Sequence, residues 1–325
     1  MTIVSMSRAD ADTVGEIRRL EGECRARDGF LGKVSLDPSL QFDPSIDSVF
    51  LGYEGGRLVA FLSLFIPTPH EAEVTGMTLP AFRRQGRFTR LLREAARGLE
   101  RHGIGEMLLE CEDMSADGLA AVRKLDAHYE FTELMMRYSR RSDPYRVRAR
   151  PACRLVPASA QDLNRLAAMD ALIFDTPREE SEKMIRGTLA SPVRRQYLLT
   201  NGGESVGLAA VCFGEAETPG AQAEAMIYGL GVLPAYRGRG FGNELVWLVT
   251  RRLLRGGWDN ILLEVDSSNT VARRLYAGCG FERECAIVYY RLHTSRLLGG
   301  PKHDASACDA AAPYTGKMEP GGALL

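Results

Sequence analysis

Apolar positions along the chain fall into two registers. Short runs such as Val59–Ile66, Val206–Phe213, Tyr228–Leu233 and Ile261-Leu262-Leu263-Glu264-Val265 have the length and composition of buried or half-buried strands, with Gly- and Pro-rich turns around them. Between such runs, Phe88, Leu91, Leu92, Ala95 and Leu99 recur at helical spacing, as do Leu245, Leu248, Val249 and Leu253. The first pattern predicts a helix ending at His102-Gly103. The second predicts one that begins near Phe241 and stops at Gly256-Gly257, where glycine supplies a left-handed terminus. Strand–helix–strand at this spacing implies that the flanking strands pair in parallel through a right-handed crossover. Val4, Ile17, Leu20, Leu51, Leu62 and Leu64 read as ordinary core.

The pattern occurs twice. Leu79-Pro80-Ala81-Phe82-Arg83-Arg84-Gln85-Gly86 parallels Leu233-Pro234-Ala235-Tyr236-Arg237-Gly238-Arg239-Gly240, and Leu108-Leu109-Glu110 falls on Leu262-Leu263-Glu264 at the same offset. Upstream, Gly55-Gly56 matches Gly202-Gly203, each before an apolar strand; a longer hairpin at Glu215–Gln222 in the second copy accounts for the change of offset. A repeat this long signals two copies of one domain rather than a solenoid. We place the copies at residues 1–140 and 153–297. The linker is 141–152, charged and holding Pro144 and Pro151, and the tail 298–325 is rich in Gly, Ala and Pro, for which disorder is expected.

Composition narrows the function classes. At 325 residues, two domains is the natural prior, and 45% hydrophobic with 26% charged residues is ordinary for a soluble globular chain. A formal net charge of −1, with dispersed arginines, gives no electrostatic reason to expect nucleic acid. Seven cysteines without a CxxC argue against a disulfide framework and against a zinc site, so no metal is expected. Arg8, Asp10 and Asp12 leave no evident secretory leader, and the apolar runs are too short to span a bilayer. A cytoplasmic protein with no membrane partner is the expectation.

The chemistry concentrates between Tyr228 and Phe281. Arg237-Gly238-Arg239-Gly240-Phe241-Gly242 sits at a predicted helix N-terminus, where bare backbone N–H groups and the helix dipole favour an anion such as phosphate. Gly238, Gly240 and Gly242 allow close backbone approach. A dinucleotide-binding crossover is the competing reading of this turn, but Asn243 stands where the third glycine of G-x-G-x-x-G belongs. Beyond the helix, Glu264 and Tyr276 place a carboxylate and a phenol near whatever is anchored there.

These segments resemble the GNAT superfamily of N-acetyltransferases. Arg237-x-x-Gly240-x-Gly242 is similar to its acetyl-CoA motif, and Asn269-x-x-Ala272-x-x-Leu275-Tyr276-x-x-x-Gly280-Phe281 to its later signature. Leu263-Glu264-Val265 with that run resembles the ribosomal-protein N-terminal acetyltransferases, and the tandem layout resembles the mycothiol synthases. The resemblance implies an α/β (α+β) chain of two tandem domains. Each would hold a mixed, mostly antiparallel central sheet flanked by helices, with a parallel βαβ pair at the acetyl-CoA site. It implies an acetyl-CoA-dependent N-acetyltransferase working by direct attack in a ternary complex, with the C-terminal copy catalytic and no metal. Backbone N–H groups from Arg239 to Asn243 would grip the pyrophosphate. Arg237, Gly238, Arg239, Gly240, Phe241, Gly242, Asn243 and Asn269 would line the cofactor site. The strand edge at Leu230, Gly231 and Val232 would pair with pantetheine and face the oxyanion.

In that resemblance Glu264 is the general base and Tyr276, twelve residues later, the general acid. A thiol near ~8.5 and a phenol near ~10 make the proton transfer almost balanced. The base stays open: Glu110 holds the matched slot in the first copy, and Glu224 or Tyr228, which share a strand face, are alternatives to Glu264. The first copy departs from the motif, with Phe88 at the place of Gly242 and Val122 at that of Tyr276, so its catalysis is in doubt. The acceptor is a primary amine, on a peptide or protein N-terminus or on a small molecule such as an amino-sugar conjugate. A non-catalytic acyl-CoA sensor is the alternative function, a scaffold the third, and the oligomeric state is not legible. Cys111 and Cys279 align with Val265 and Leu125, which marks them as core rather than nucleophiles.

Overall fold

The computed structural model describes residues 1–31, 34, 36–142, 152–214 and 223–299. The hairpin at 215–222, most of the linker read at 141–152, and the tail from residue 300 lie outside the described residues. In chain order the main elements are β1 (Thr2–Met6), α1 (Ala11–Asp28), β2 (Val49–Glu54), β3 (Arg57–Phe65), β4 (Glu71–Thr78), α2 (Arg87–Arg101), β5 (Glu106–Glu112), α3 (Ala116–Lys124) and β6 (His128–Tyr138). There follow β7 (Cys153–Pro157), α4 (Leu163–Phe174), α5 (Arg178–Ala190), β8 (Arg194–Asn201), β9 (Glu204–Phe213), β10 (Glu224–Val232), α6 (Phe241–Arg255), β11 (Asn260–Asp266), α7 (Thr270–Gly278), β12 (Phe281–His293) and α8 (Thr294–Leu298).

The chain forms two compact units. One takes Met1–Phe131 and returns for the chain from Ile287; the other runs from Thr132 to Ala286. The boundary thus lies inside β6 and again inside β12, not at residue 140. Its cause is strand placement. In the first unit β5 pairs antiparallel with the end of β12, Ile287↔Glu112 through His293↔Glu106. In the second, β11 pairs antiparallel with β6, Leu262↔Arg137 through Asp266↔Glu133. Each unit is therefore completed by a strand from the other half of the sequence. Leu298, read as the start of the tail, instead closes α8.

Within each unit the sheet is mixed and mostly antiparallel, with one parallel pair: β4 with β5, and β10 with β11. These are the two predicted crossovers, spanned by α2 and α6. Alternation of side chains separates the two faces of each sheet. In the second unit, Ile227, Ile261, Leu263 and Val265 pack with Leu245, Val246, Val249 and Leu253 of α6, while Leu198 and Leu208 pack on the other face with Leu166, Met169 and Ile173 of α4. Leu245 is wholly buried, and its truncation to alanine would cost about 2–5 kcal/mol. In the first unit α2 packs with Leu62, Leu64 and Leu109, and α1 with Leu51, Val59 and Phe61. Val4, expected in the core, is 40% exposed because β1 pairs only with β2 and turns alternate side chains outward.

Candidate active site

The site begins with two strands that part. β10 and β11 pair in parallel only from Glu224↔Asn260 to Ile227↔Leu263, although both strands run on. Beyond Ile227 the pairing of β10 with β9 slips: Tyr228 faces Ala210 and Gly231 faces Leu208, so two residues on β10 stand against one on β9. Gly229 takes φ 52° in this bulge, a left-handed conformation natural to glycine. Past the bulge, Gly231 and Val232 remain paired with β9. The contact is close: a Cβ on Gly207 would come within 2.8 Å of the Gly231 carbonyl oxygen. A slot therefore opens between β10 and β11, edged by the backbone of Leu230, Gly231 and Val232. The side chains of Leu230 and Val232 are spent on the core. The bulge went unread in the sequence, yet Gly229 and Gly231 inside an apolar strand were the signal for it.

β10 leads into the glycine turn. Gly238 and Gly240 take φ 72° and 81°, and Gly240 caps α6 without any side-chain hydrogen bond. The first-turn N–H groups of α6, those of Gly242 and Asn243 among them, point out of the helix toward the turn with no intrahelical acceptor. The ring of Phe241 packs edge-on to Tyr236 in the core, and the Arg239 guanidinium lies 5.7 Å from the Tyr236 ring centre. Arg237 turns its side chain back: Nε donates to the Val232 carbonyl at 3.1 Å and Nη2 to that of Ile173 at 3.0 Å.

The first unit repeats the backbone but fills the slot. Arg84 and Gly86 stand at the places of Gly238 and Gly240 with φ 59° and 76°, a conformation that costs an arginine about 1 kcal/mol. β4 carries no bulge in its pairing with β3. The ring of Phe88, at the place of Gly242, lies against β4 so closely that a Cβ on Gly76 would meet it at 2.7 Å. Where the β4–β5 ladder ends, the Thr75 hydroxyl donates to Glu110 Oε2 at 2.8 Å, and burial pushes that carboxyl up. In the second unit the strand ladders put Tyr228 at the place of Thr75, and its hydroxyl lies 3.2 Å from that of Thr188.

Four groups were candidates for proton transfer. Tyr276 on α7 is 1% exposed, its ring 6.2 Å from that of Phe281, in the core cluster that also holds Leu263 and Val265. Glu264 alternates to the other face of β11 and is half-buried. The two thus flank β11 from opposite sides of the sheet. Tyr228 is buried, its hydroxyl 3.2 Å from that of Thr188 and its ring under Arg194, and desolvation raises its pKa. Glu224 accepts from Asn260 Nδ2 at 3.0 Å and lies 3.8 Å from Arg137; it opens β10, roughly 13 Å along the strand from the bulge. Asn269 Oδ1 accepts from the Ala272 N–H at 3.0 Å as the N-cap of α7, a place filled by Ser115 on α3. Burial lifts the Cys111 thiol to about 11, as befits a core position.

A parted strand pair that leads into an uncapped helix N-terminus suits an extended ligand that carries an anion. The model of the acetyltransferase (GNAT) family matches residues 17–123 and 164–281, and the chain belongs to that family. A mycothiol acetyltransferase of Kineococcus radiotolerans is 36% identical over 126 residues, 38% of this chain and 40% of that protein. The N-alpha-acetyltransferase RimI of Mycobacterium tuberculosis is 34% identical over 125 residues, 38% of this chain and 73% of that protein. The match thus spans well under half of the mycothiol relative's length. A tandem GNAT protein from the clavulanic acid biosynthesis pathway shares the fold over 93% of this chain and 99% of its own, with TM-score 0.69 and 20% identity.

Proposed function

We propose that the C-terminal unit transfers an acetyl group from acetyl-CoA to a primary amine, and that the N-terminal unit is a copy that has lost the reaction. The observation that carries this reading is the contrast between the two slots. The second has a bulged, parted strand pair and Gly242; the first has a regular strand and the ring of Phe88 against Gly76. The residues of the second unit fit a diphosphate-bearing thioester. The N–H groups at the start of α6 would hold the diphosphate, and the strand edge Leu230–Val232 would hold the amide-bearing arm. Acetyl-CoA supplies an activated acetyl group.

The chain's own residues would manage the protons. Glu264 would take one from the incoming ammonium on one side of β11, directly or through water. Tyr276 would keep its phenolic proton in a dry core and release it toward the sulfur from the other side. Tyr228 is a poorer base, because burial opposes its ionisation, and Glu224 is held by Asn260 at the far end of the strand. The likeness to mycothiol acetyltransferases and to RimI supports a small-molecule or N-terminal amine as acceptor.

The test is free-thiol release from acetyl-CoA with peptide, polyamine and amino-sugar amines, for the wild type and for Tyr276→Phe. One class of amine should elicit release, and the variant should lose about 10²-fold or more in turnover while its acetyl-CoA Kd stays within a few-fold. Tight acetyl-CoA binding with no release by any amine would favour a sensor, and no binding at all would favour a scaffold.

A further inference from the structure

We infer that Arg237 is a positioning residue that ties the acetyl-CoA turn to the end of α4, and so couples occupancy of the turn to the α4–α5 connection. The inference rests on the proposed acetyl-CoA site. Its guanidinium does not lie among the helix N-terminal N–H groups. It bridges two backbone carbonyls, that of Val232 where β10 enters the turn and that of Ile173 in the last turn of α4. A cation on the final carbonyls of a helix also meets the negative end of its dipole. Immediately after, Asp175 takes φ 56° and ends α4, and the chain turns through Thr176 and Pro177 into α5. Arg237 thus holds the turn and the α4–α5 connection together.

The first unit gives an internal control. Arg83 Nε donates to the carbonyl of Thr78 at 2.9 Å, the counterpart of Val232, and its two terminal nitrogens bind the carboxylate of Asp28, the last residue of α1. That unit keeps the tether although Phe88 fills its slot, so the tether does not depend on a phosphate. The anchoring differs in kind. Arg83 is ion-paired to Asp28 and Asp117, whereas the recorded anchors of Arg237 are neutral carbonyls. A carbonyl tether can slide where a double ion pair is fixed, which suits a joint that must respond to ligand.

Hydrogen–deuterium exchange on the full chain tests this, with and without acetyl-CoA, in the wild type, Arg237→Gln and Arg237→Lys. In the wild type, acetyl-CoA should protect both residues 237–243 and residues 171–178. Neither variant side chain can reach both carbonyls as the guanidinium does. At saturating acetyl-CoA each should keep protection at 237–243 but lose about fivefold of the protection at 171–178, the size expected for one hydrogen bond. Exchange in β8 and β9 reports whether each variant is folded. Retained protection at 171–178 in a folded variant would overturn the inference. So would a tenfold or larger loss of acetyl-CoA affinity with weaker salt dependence, the sign of a phosphate ligand. A wild type that fails to bind acetyl-CoA removes the functional reading itself, a failure that the wild-type titration alone identifies.

Discussion

Replacing Asp170 by asparagine tests the packing of α4 on α5, the helices that cover one face of the second sheet. Asp170 is 2% exposed among Leu166, Met169 and Ile173, and Ser181 of α5 is wholly buried. Neither Asp170 Oδ2 nor Ser181 Oγ makes a full hydrogen bond. Burial pushes the Asp170 carboxyl up from 3.8 to about 6, with Ser181 offsetting part of the rise. The folded state therefore prefers the protonated acid. Below the unfolded value of 3.8 the acid is neutral in both states and its fold-favouring effect is fully present. As pH rises toward 6 the unfolded chain ionises first, and stability is lost until both states are charged. A shift of about 2 pH units corresponds to a penalty of about 3 kcal/mol at neutral pH. An uncharged asparagine escapes it, less whatever its own NH2 group lacks in partners. Urea unfolding midpoints from pH 4 to 8 should show Asp170→Asn more stable by about 1–3 kcal/mol at pH 7, the advantage vanishing near pH 4. A difference that stays constant with pH, or a variant less stable at pH 7, would refute the reasoning and mean that the charged carboxylate is well solvated in place.

Two further perturbations address the slot and the strand exchange. Gly207→Ala puts a Cβ 2.8 Å from the Gly231 carbonyl oxygen, a backbone atom that cannot swing aside. It should cost about 1–3 kcal/mol and weaken acetyl-CoA binding by distorting the bulge; unfolding and titration curves that match wild type would show the bulge to be pliable. Cutting the chain between β6 and β7 should leave two fragments that fail to unfold cooperatively alone, because β5 then lacks β12 and β11 lacks β6. Mixing them should restore a sharp transition by circular dichroism, and a fragment that folds by itself would contradict this.

Much of the architecture was legible because its signals are local. Gly238, Gly240 and Gly257 mark backbone with positive φ, which few other residues adopt cheaply, and the helical spacing of Leu245, Val249 and Leu253 names a buried face without reference to the rest of the chain. The duplication and the two crossovers follow from such features, whereas the mixed sheet, and Phe88 and Val122 as departures in the first copy, were implied by the family resemblance. What tertiary structure alone decided was where side chains and strand edges find partners. Arg237 reads in the sequence as lining the cofactor site, and its guanidinium reaches Ile173, a carbonyl far away along the chain. Asn269 reads as a ligand and is used as a cap. β6 and β12 both look like closing strands, and nothing in their own alternation says that each completes the sheet of the other half, since a ladder is specified by the neighbouring edge it meets. Periodicity and dihedral preference are properties of a residue and its near neighbours, and the sequence determines them; ladder partners, slot filling and the raised pKa of Asp170 are set by groups brought together only on folding.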